Sequence, residues 1–299
     1  MDHSPEQIGS SSADNRPSLG KLTRRGFIAA SAATIASCKA ASSTTSTGPN
    51  APIKSTANKD YRTPSVDGPS LRNNAGNPSA NFSKDAGTTF SRVLVSGNYI
   101  AITFDDGPHP QNTPRLLDML AQRNIKATFY VIGRSVDLHP GVLRRTVAEG
   151  HEIGNHSHTH RLLSKLGDSE VRQEMKLCQD AIGRAAGVRP RTMRPPYGGL
   201  LQRQRELIQN EFGYPTILWS VDPLDWKRPG PSVVASRILT NTTAGGIVLA
   251  HDLHSQTVDA MPATLDGLLK KGFKFVTVSQ LIAMKIDAGD AQASVKPTS

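Results

Sequence analysis

Cysteine is nearly absent. The 299 residues contain two, Cys38 and Cys178, so no disulfide framework holds this chain together. Long apolar runs are missing too: no stretch approaches the roughly 18 consecutive apolar residues that a spanning helix needs. Aromatics stand at 5% and hydrophobic residues at 37%, both low for a chain folded throughout. The deficit is uneven. From Met1 to about Asp85 the sequence is mostly Ser, Thr, Ala, Asn, Pro and Gly, and apolar runs begin near Val93. The folded part is therefore expected in the last two thirds, about as much chain as one α/β domain requires. Blocks of like charge are lacking as well. The net charge of +10 favours polyanions in general. The cations are interspersed with acids, however, and no nucleic-acid motif is present, which argues against that partner.

Residues 1–38 read as an export signal. Arg24-Arg25-Gly26-Phe27 resembles a twin-arginine motif, and a short, weakly apolar stretch follows it. Such a segment is a secretory leader rather than a span. Ile35-Ala36-Ser37-Cys38 resembles a bacterial lipobox, in which Cys38 would carry lipid and hold the protein at a membrane. Ordinary cleavage near Ala40 or Ala41 is the alternative. Residues 39–92 are expected to be a disordered Ser/Thr/Pro-rich linker, residues 93–286 the folded domain and residues 287–299 a polar tail.

Within the domain, strand-type and helix-type runs alternate. Tyr99–Phe104, Ala127–Ile132, His151–Asn155, Thr216–Val221, Gly246–Ala250 and Phe273–Val278 read as strands. Thr113–Arg123, Gly141–Glu149, Leu200–Phe212, Ser232–Thr242 and Met261–Lys271 read as helices, together with one capped by Asp168 that runs to about Ala186. In that last helix Val171, Met175, Cys178 and Ile182 recur at helical spacing, so Cys178 is a small buried hydrophobe rather than a reactive thiol. Repeated strand–helix units predict parallel strands with helices outside. The chemically active residues sit at strand ends, where a barrel builds its site.

Those residues form a series. Thr103-Phe104-Asp105-Asp106-Gly107 ends an apolar strand. Asp-Asp-Gly alone is a common turn signature, but adjacent carboxylates repel, and a fold that keeps both tends to neutralise one with a cation. His156 and His160 lie four apart, so one helical turn would place them on the same side. With one carboxylate they would give three metal ligands and leave a position open, as catalytic zinc requires. His158 would then point elsewhere, in a structural or supporting role. Arg194-Pro195-Pro196-Tyr197-Gly198 is a rigid turn, Asp222-Pro223-Leu224-Asp225-Trp226 sets carboxylates beside an aromatic, and Leu249-Ala250-His251 delivers a histidine from a buried strand.

Together and in this order the five motifs resemble the polysaccharide deacetylases of the NodB-homology type, carbohydrate esterase family 4, over about Asn98 to Met284. The resemblance implies a distorted (β/α) barrel and a divalent metal held by Asp106, His156 and His160. Zinc is the usual ion, with Co2+ or another divalent ion as substitutes. It further implies Asp105 as general base and His251 as general acid, with Asp225 pairing to His251. Arg194 would hold the Asp105 side, the Tyr197 backbone N–H would face the oxyanion beside Pro196, and Trp226 and Leu249 would line the pocket. The implied reaction is removal of N-acetyl groups from a GlcNAc polymer, peptidoglycan first. Chitin oligomers or poly-GlcNAc come next, and O-acetyl xylan is a smaller alternative. A non-catalytic wall-binding lipoprotein is the competing class, although binding alone would need neither base nor acid. The expected partners are an acetylated glycan and, through Cys38, a membrane. The expected location is the periplasm or cell envelope, and the expected state is a monomer.

Overall fold

The computed structural model describes residues 89–286. The expected export signal with Cys38, residues 39–88 of the expected linker and the tail from 287 lie outside the described residues.

The first elements are β1 (Thr89–Phe90), β2 (Tyr99–Asp105), α1 (Asn112–Gln122), β3 (Thr128–Val131), α2 (Gly133–Leu138), α3 (Pro140–Ala148) and β4 (Glu152–Asn155). They are followed by α4 (Asp168–Ala186), α5 (Gln202–Phe212), β5 (Thr216–Ile217), α6 (Pro231–Asn241), β6 (Ile247–His251), α7 (Ser255–Lys270), β7 (Lys274–Phe275) and α8 (Val278–Ala283). Strands β4, β3, β2 and β6 are parallel neighbours in that order. Parallel bridges Asn155↔Met193, Met193↔Thr216 and Val221↔Val248 carry the ring from β4 through β5 back to β6. This is the expected barrel. It is distorted because much of one side is closed by single bridges rather than full ladders.

Period-two alternation in β2 explains how the barrel carries chemistry inside and packing outside. Ile100, Ile102 and Phe104 join the main apolar cluster with Leu116, Leu117 and Leu120 of α1. Each fully buried aliphatic side chain there contributes about 1.5–3 kcal/mol. The alternate residues, Thr103 and Asp105, meet the Arg194 guanidinium on the other side of the strand. In α4, Val171, Met175, Cys178 and Ile182 are all buried, and burial pushes the Cys178 thiol up to about 12, far from thiolate reactivity.

Several elements depart from expectation, each for a local reason. Thr89–Phe90 lies in the expected linker yet pairs with Thr216–Ile217; two residues are too few to show a period. Strand β5 stops at Ile217, short of the expected Val221. The Ile217 and Leu218 carbonyls accept from Arg194 Nε and Nη2 at 3.3 and 3.0 Å instead of continuing a ladder. Gly167, not Asp168, is the N-cap of α4, and its N–H donates to Glu170 Oε2 at 3.0 Å. Helix α7 begins at Ser255 and runs through Pro262, although a proline there reads as a boundary. The expected strand through Val278 ends at Phe275 because Thr277 caps α8, its N–H donating to Gln280 Oε1 at 2.7 Å. That is a Thr-x-x-Gln capping box. Helix α2, six residues long, carries no legible period.

Candidate active site

Asp105 is the last residue of β2, 2% exposed. Its Cα partners are Tyr130 on β3 and His251 on β6. Asp105 Oδ1 accepts from Arg194 Nη1 at 2.7 Å. Arg194 is fully buried and spends its donors on Asp105, Thr103 and the Ile217 and Leu218 carbonyls, with its guanidinium 4.3 Å from the Tyr130 ring centre. A carboxylate so held keeps one oxygen facing inward and resists rotation.

At Asp106 the chain turns with φ 74°. The left-handed residue of the Asp-Asp-Gly turn is therefore Asp106, not the glycine. Gly107 is required for a different reason: a Cβ there would lie 2.6 Å from both carboxylate oxygens of Asp252. Asp252 itself is buried, and burial pushes its carboxyl up to about 7 despite the hydrogen bond from the Thr113 hydroxyl.

His156 and His160 do come together, with ring centres 5.0 Å apart, but no helical turn brings them there. They flank an irregular loop in which Ser157 and His160 have φ 64° and 60°. Its amides are bonded by side chains. Ser157 N–H donates to Asn155 Oδ1 at 2.9 Å and His160 N–H to Ser157 Oγ at 3.0 Å. His158 and Thr159 N–H donate to Glu174 Oε2 at 2.9 and 2.7 Å. Side-chain acceptors of this kind draw Ser- and Asn-rich segments away from helix. His158 points away from the other two imidazoles, against Gly133.

His156 Nδ1 lies 2.7 Å from the Arg194 carbonyl oxygen. A carbonyl can only accept, so Nδ1 carries the hydrogen and Nε2 of the neutral ring presents its lone pair. Nε2 of His156 and of His160 face Asp106 Oδ1 at 3.4 and 3.2 Å, yet that buried oxygen receives no hydrogen bond. The three ligand atoms lie within 4.8 Å of one another. Two imidazole lone pairs and a carboxylate converging without a donor fit a divalent cation held by an N2O set. Burial alone would raise the Asp106 pKa, but the His156 and His160 imidazoles outweigh it and hold the carboxyl well below the usual range. Burial pulls His156 down while the Asp105 and Asp106 carboxylates push it up by more; cation or proton, the site demands positive charge.

Across the cavity, His251 Nδ1 lies 2.8 Å from Asp225 Oδ1. Asp225 is buried and also accepts from the His251 N–H and the Thr257 hydroxyl, both at 2.8 Å. Burial would lower the His251 pKa, but the Asp225 hydrogen bond and charge raise it to about 9. Asp105, the Asp106, His156 and His160 cluster, and His251 thus surround one cavity of about 420 Å³.

A family model described as polysaccharide deacetylase matches residues 94–217. A chitooligosaccharide deacetylase of Bradyrhizobium is 40% identical over 204 residues, covering 62% of this chain and 92% of that protein. The chain belongs to the polysaccharide deacetylases. A peptidoglycan-N-acetylglucosamine deacetylase of Listeria monocytogenes is 42% identical over 190 residues, 64% of this chain. The match spans only 40% of the Listeria protein's length. Among solved structures, T48 deacetylase with substrate superposes with a TM-score of 0.61 at 40% identity, covering 64% of this chain and 93% of that one.

The cavity is lined by Asp105, Asp106, His156, His160 and His251, together with Tyr197, Trp226 and Leu249. Pro196 is buried, and the proline in the wall is Pro195. Arg194 does not line the cavity and touches it only through its hydrogen bond to Asp105. Tyr197 is 69% exposed, with φ 60° and its ring 4.8 Å from that of His160. Among the described residues, the non-glycine positions with positive φ, apart from Asn124, lie in the loops around this cavity, and strained backbone of that kind concentrates at functional sites. Trp219 and Asp222 also line the wall. Trp219 lies in the segment joining β5 to the bridge at Val221 and Asp222 directly follows that bridge, a path no sequence period reveals.

Proposed function

We propose that the protein is a metal-dependent N-deacetylase of a cell-envelope glycan, peptidoglycan in the first place, releasing acetate. The observation that carries this reading is the pairing, across one cavity, of a ligand triad beside Asp105 with the Asp225-braced His251. The peptidoglycan activity named for the Listeria relative supports the choice of polymer, and the chitooligosaccharide relative marks the alternative.

A divalent ion held by Asp106, His156 and His160, zinc by its ligand set, supplies Lewis acidity that activates water and polarises the acetamide carbonyl. Asp105, held by Arg194, takes the proton of the attacking water. The Tyr197 backbone N–H faces the oxygen that becomes negative. His251 gives a proton to the departing amine, and Asp225 keeps that imidazole charged. Trp226 and Leu249 provide the apolar wall for sugar and acetyl methyl. The leader motifs support export with Cys38 as a lipid anchor, which the mass of the mature N-terminus tests, and a monomer suffices because every proposed role falls within one chain.

The raised pKa of His251 gives the reading a pH test. His251 stays protonated, and its pair with Asp225 fully stabilising, below about 6.5; both are lost as pH rises through about 9. Acetate release should therefore fall on the alkaline side near that value. Asp225→Asn removes the raising charge, so the alkaline limb of kcat/KM should move down into or below the ordinary imidazole range. A limb that stays in place would remove His251 from the role of acid.

A further inference from the structure

The cavity wall formed by Trp226 ends in two cations. Lys227 closes the 3₁₀ turn Asp225–Lys227 and Arg228 follows it, both exposed. Lys227 Nζ lies 4.9 Å from the Trp226 ring centre, and Trp226, half exposed, lines the cavity. Arg228 is the next residue in the chain, near enough to His254 for its charge to act there. Burial mainly lowers the pKa of His254, with the His251 and Arg228 charges adding to it, and the His254 ring centre is 6.2 Å from that of His251.

Three exposed arginines elsewhere have acidic partners: Arg115 meets Asp259 at 2.7 Å, Arg172 meets Glu211 at 2.8 Å and Arg184 meets Asp137 at 2.8 Å. Among the described residues Lys227 and Arg228 meet no carboxylate. Nor do they ride on a loose loop. Leu224 and Arg228 flank the turn with φ 55° and 54°, conformations that persist without glycine only where the surroundings over-determine them. Leu224 N–H donates to Asp222 Oδ1 at 2.8 Å, Arg237 reaches the Pro223 carbonyl at 2.8 Å, and Asp225 anchors the centre. The segment that braces His251 thus holds two cations without carboxylate partners directly after Trp226, in the wall of a cavity whose own side chains include Asp105, Asp106 and Asp222. An anion drawn there would stay at the mouth.

We propose that Lys227 and Arg228 form a carboxylate subsite beside the catalytic cavity, which takes the acidic substituent of the sugar next to the acetamido unit being processed. The proposal rests on the N-deacetylase reading above. Arg228 can pair with a carboxylate through two parallel N–H bonds, while Lys227 acts as a point charge. In wall glycan every second sugar carries a lactyl ether extended by a peptide with free carboxylates; GlcNAc oligomers carry none. The subsite therefore selects between two polymers that present the same acetamide.

The test compares the full, metal-loaded protein with a Lys227→Gln/Arg228→Gln double variant on two fragments of equal length. One is a muropeptide-bearing glycan and the other a neutral GlcNAc oligomer. The double variant should raise KM for the acidic fragment by roughly three- to thirty-fold, leave kcat unchanged and leave both constants unchanged for the neutral one. The wild-type preference for the acidic fragment should shrink with added salt. Equal effects on both fragments, or none, overturn the subsite. Calorimetric binding of the two fragments decides it even if the wild type releases acetate from neither, an outcome that would sink the deacetylase reading instead.

Discussion

Asp105→Asn lowers acetate release by about 10²–10⁴-fold, the usual range for a lost general base, and leaves one bound metal per chain. The two adjacent aspartates make this outcome discriminating. Asp106 Oδ1 faces both imidazole nitrogens, at 3.4 and 3.2 Å. Asp105 turns one oxygen to Arg194 at 2.7 Å and keeps the other 3.7 Å from His156 Nε2. An amide at position 105 still accepts from Arg194, so the strand end and the ligand triad persist while basicity is lost. Metal content by elemental analysis and acetate by enzymatic assay check both halves. Loss of the metal in Asp105→Asn would exchange the roles of the two residues.

Arg194→Met lowers the free energy of unfolding by about 3–5 kcal/mol, because removing one partner of a buried ion pair strands the other. Asp105 would lose its cation at 3% side-chain exposure, and the Thr103 hydroxyl and the Ile217 and Leu218 carbonyls would lose donors. Tyr130 would lose the guanidinium over its ring. Arg194→Lys keeps the charge but not the fork, so it should recover part of the stability and little of the activity. Denaturant titration of metal-free protein checks the first statement, and kcat of the reloaded lysine variant checks the second. A methionine variant as stable as the wild type would mean that the guanidinium does not brace Asp105.

Much of this site was legible in the chain. An apolar run ending in Asp105-Asp106 announced a strand whose end carries charge, and His156 and His160 announced metal by residue type. What spacing could not give was the path between them. The four-residue interval suggests a helical turn, but Asn155, Ser157 and Glu174 bond the backbone amides and impose a loop. Glu174 sits on α4, so its part depends on a tertiary contact. The same holds for Tyr130 under Arg194, Trp219 and Asp222 in the wall, and Asp252 against Gly107. Each is set by register or loop convergence, which local patterns do not encode. The Thr277-x-x-Gln280 cap of α8 is different: the signal is local, but the β-branched Val276 and Val278 around it favour a strand.

The central claim is that Asp106, His156 and His160 hold a metal which, with Asp105 and His251, hydrolyses an N-acetyl amide. Its most direct test is acetate release from N-acetylated peptidoglycan by protein stripped with chelator and then reloaded with one equivalent of zinc. No acetate is expected from the stripped protein, and release should return on reloading. Protein that takes up the metal and releases no acetate from any acetylated glycan would contradict it.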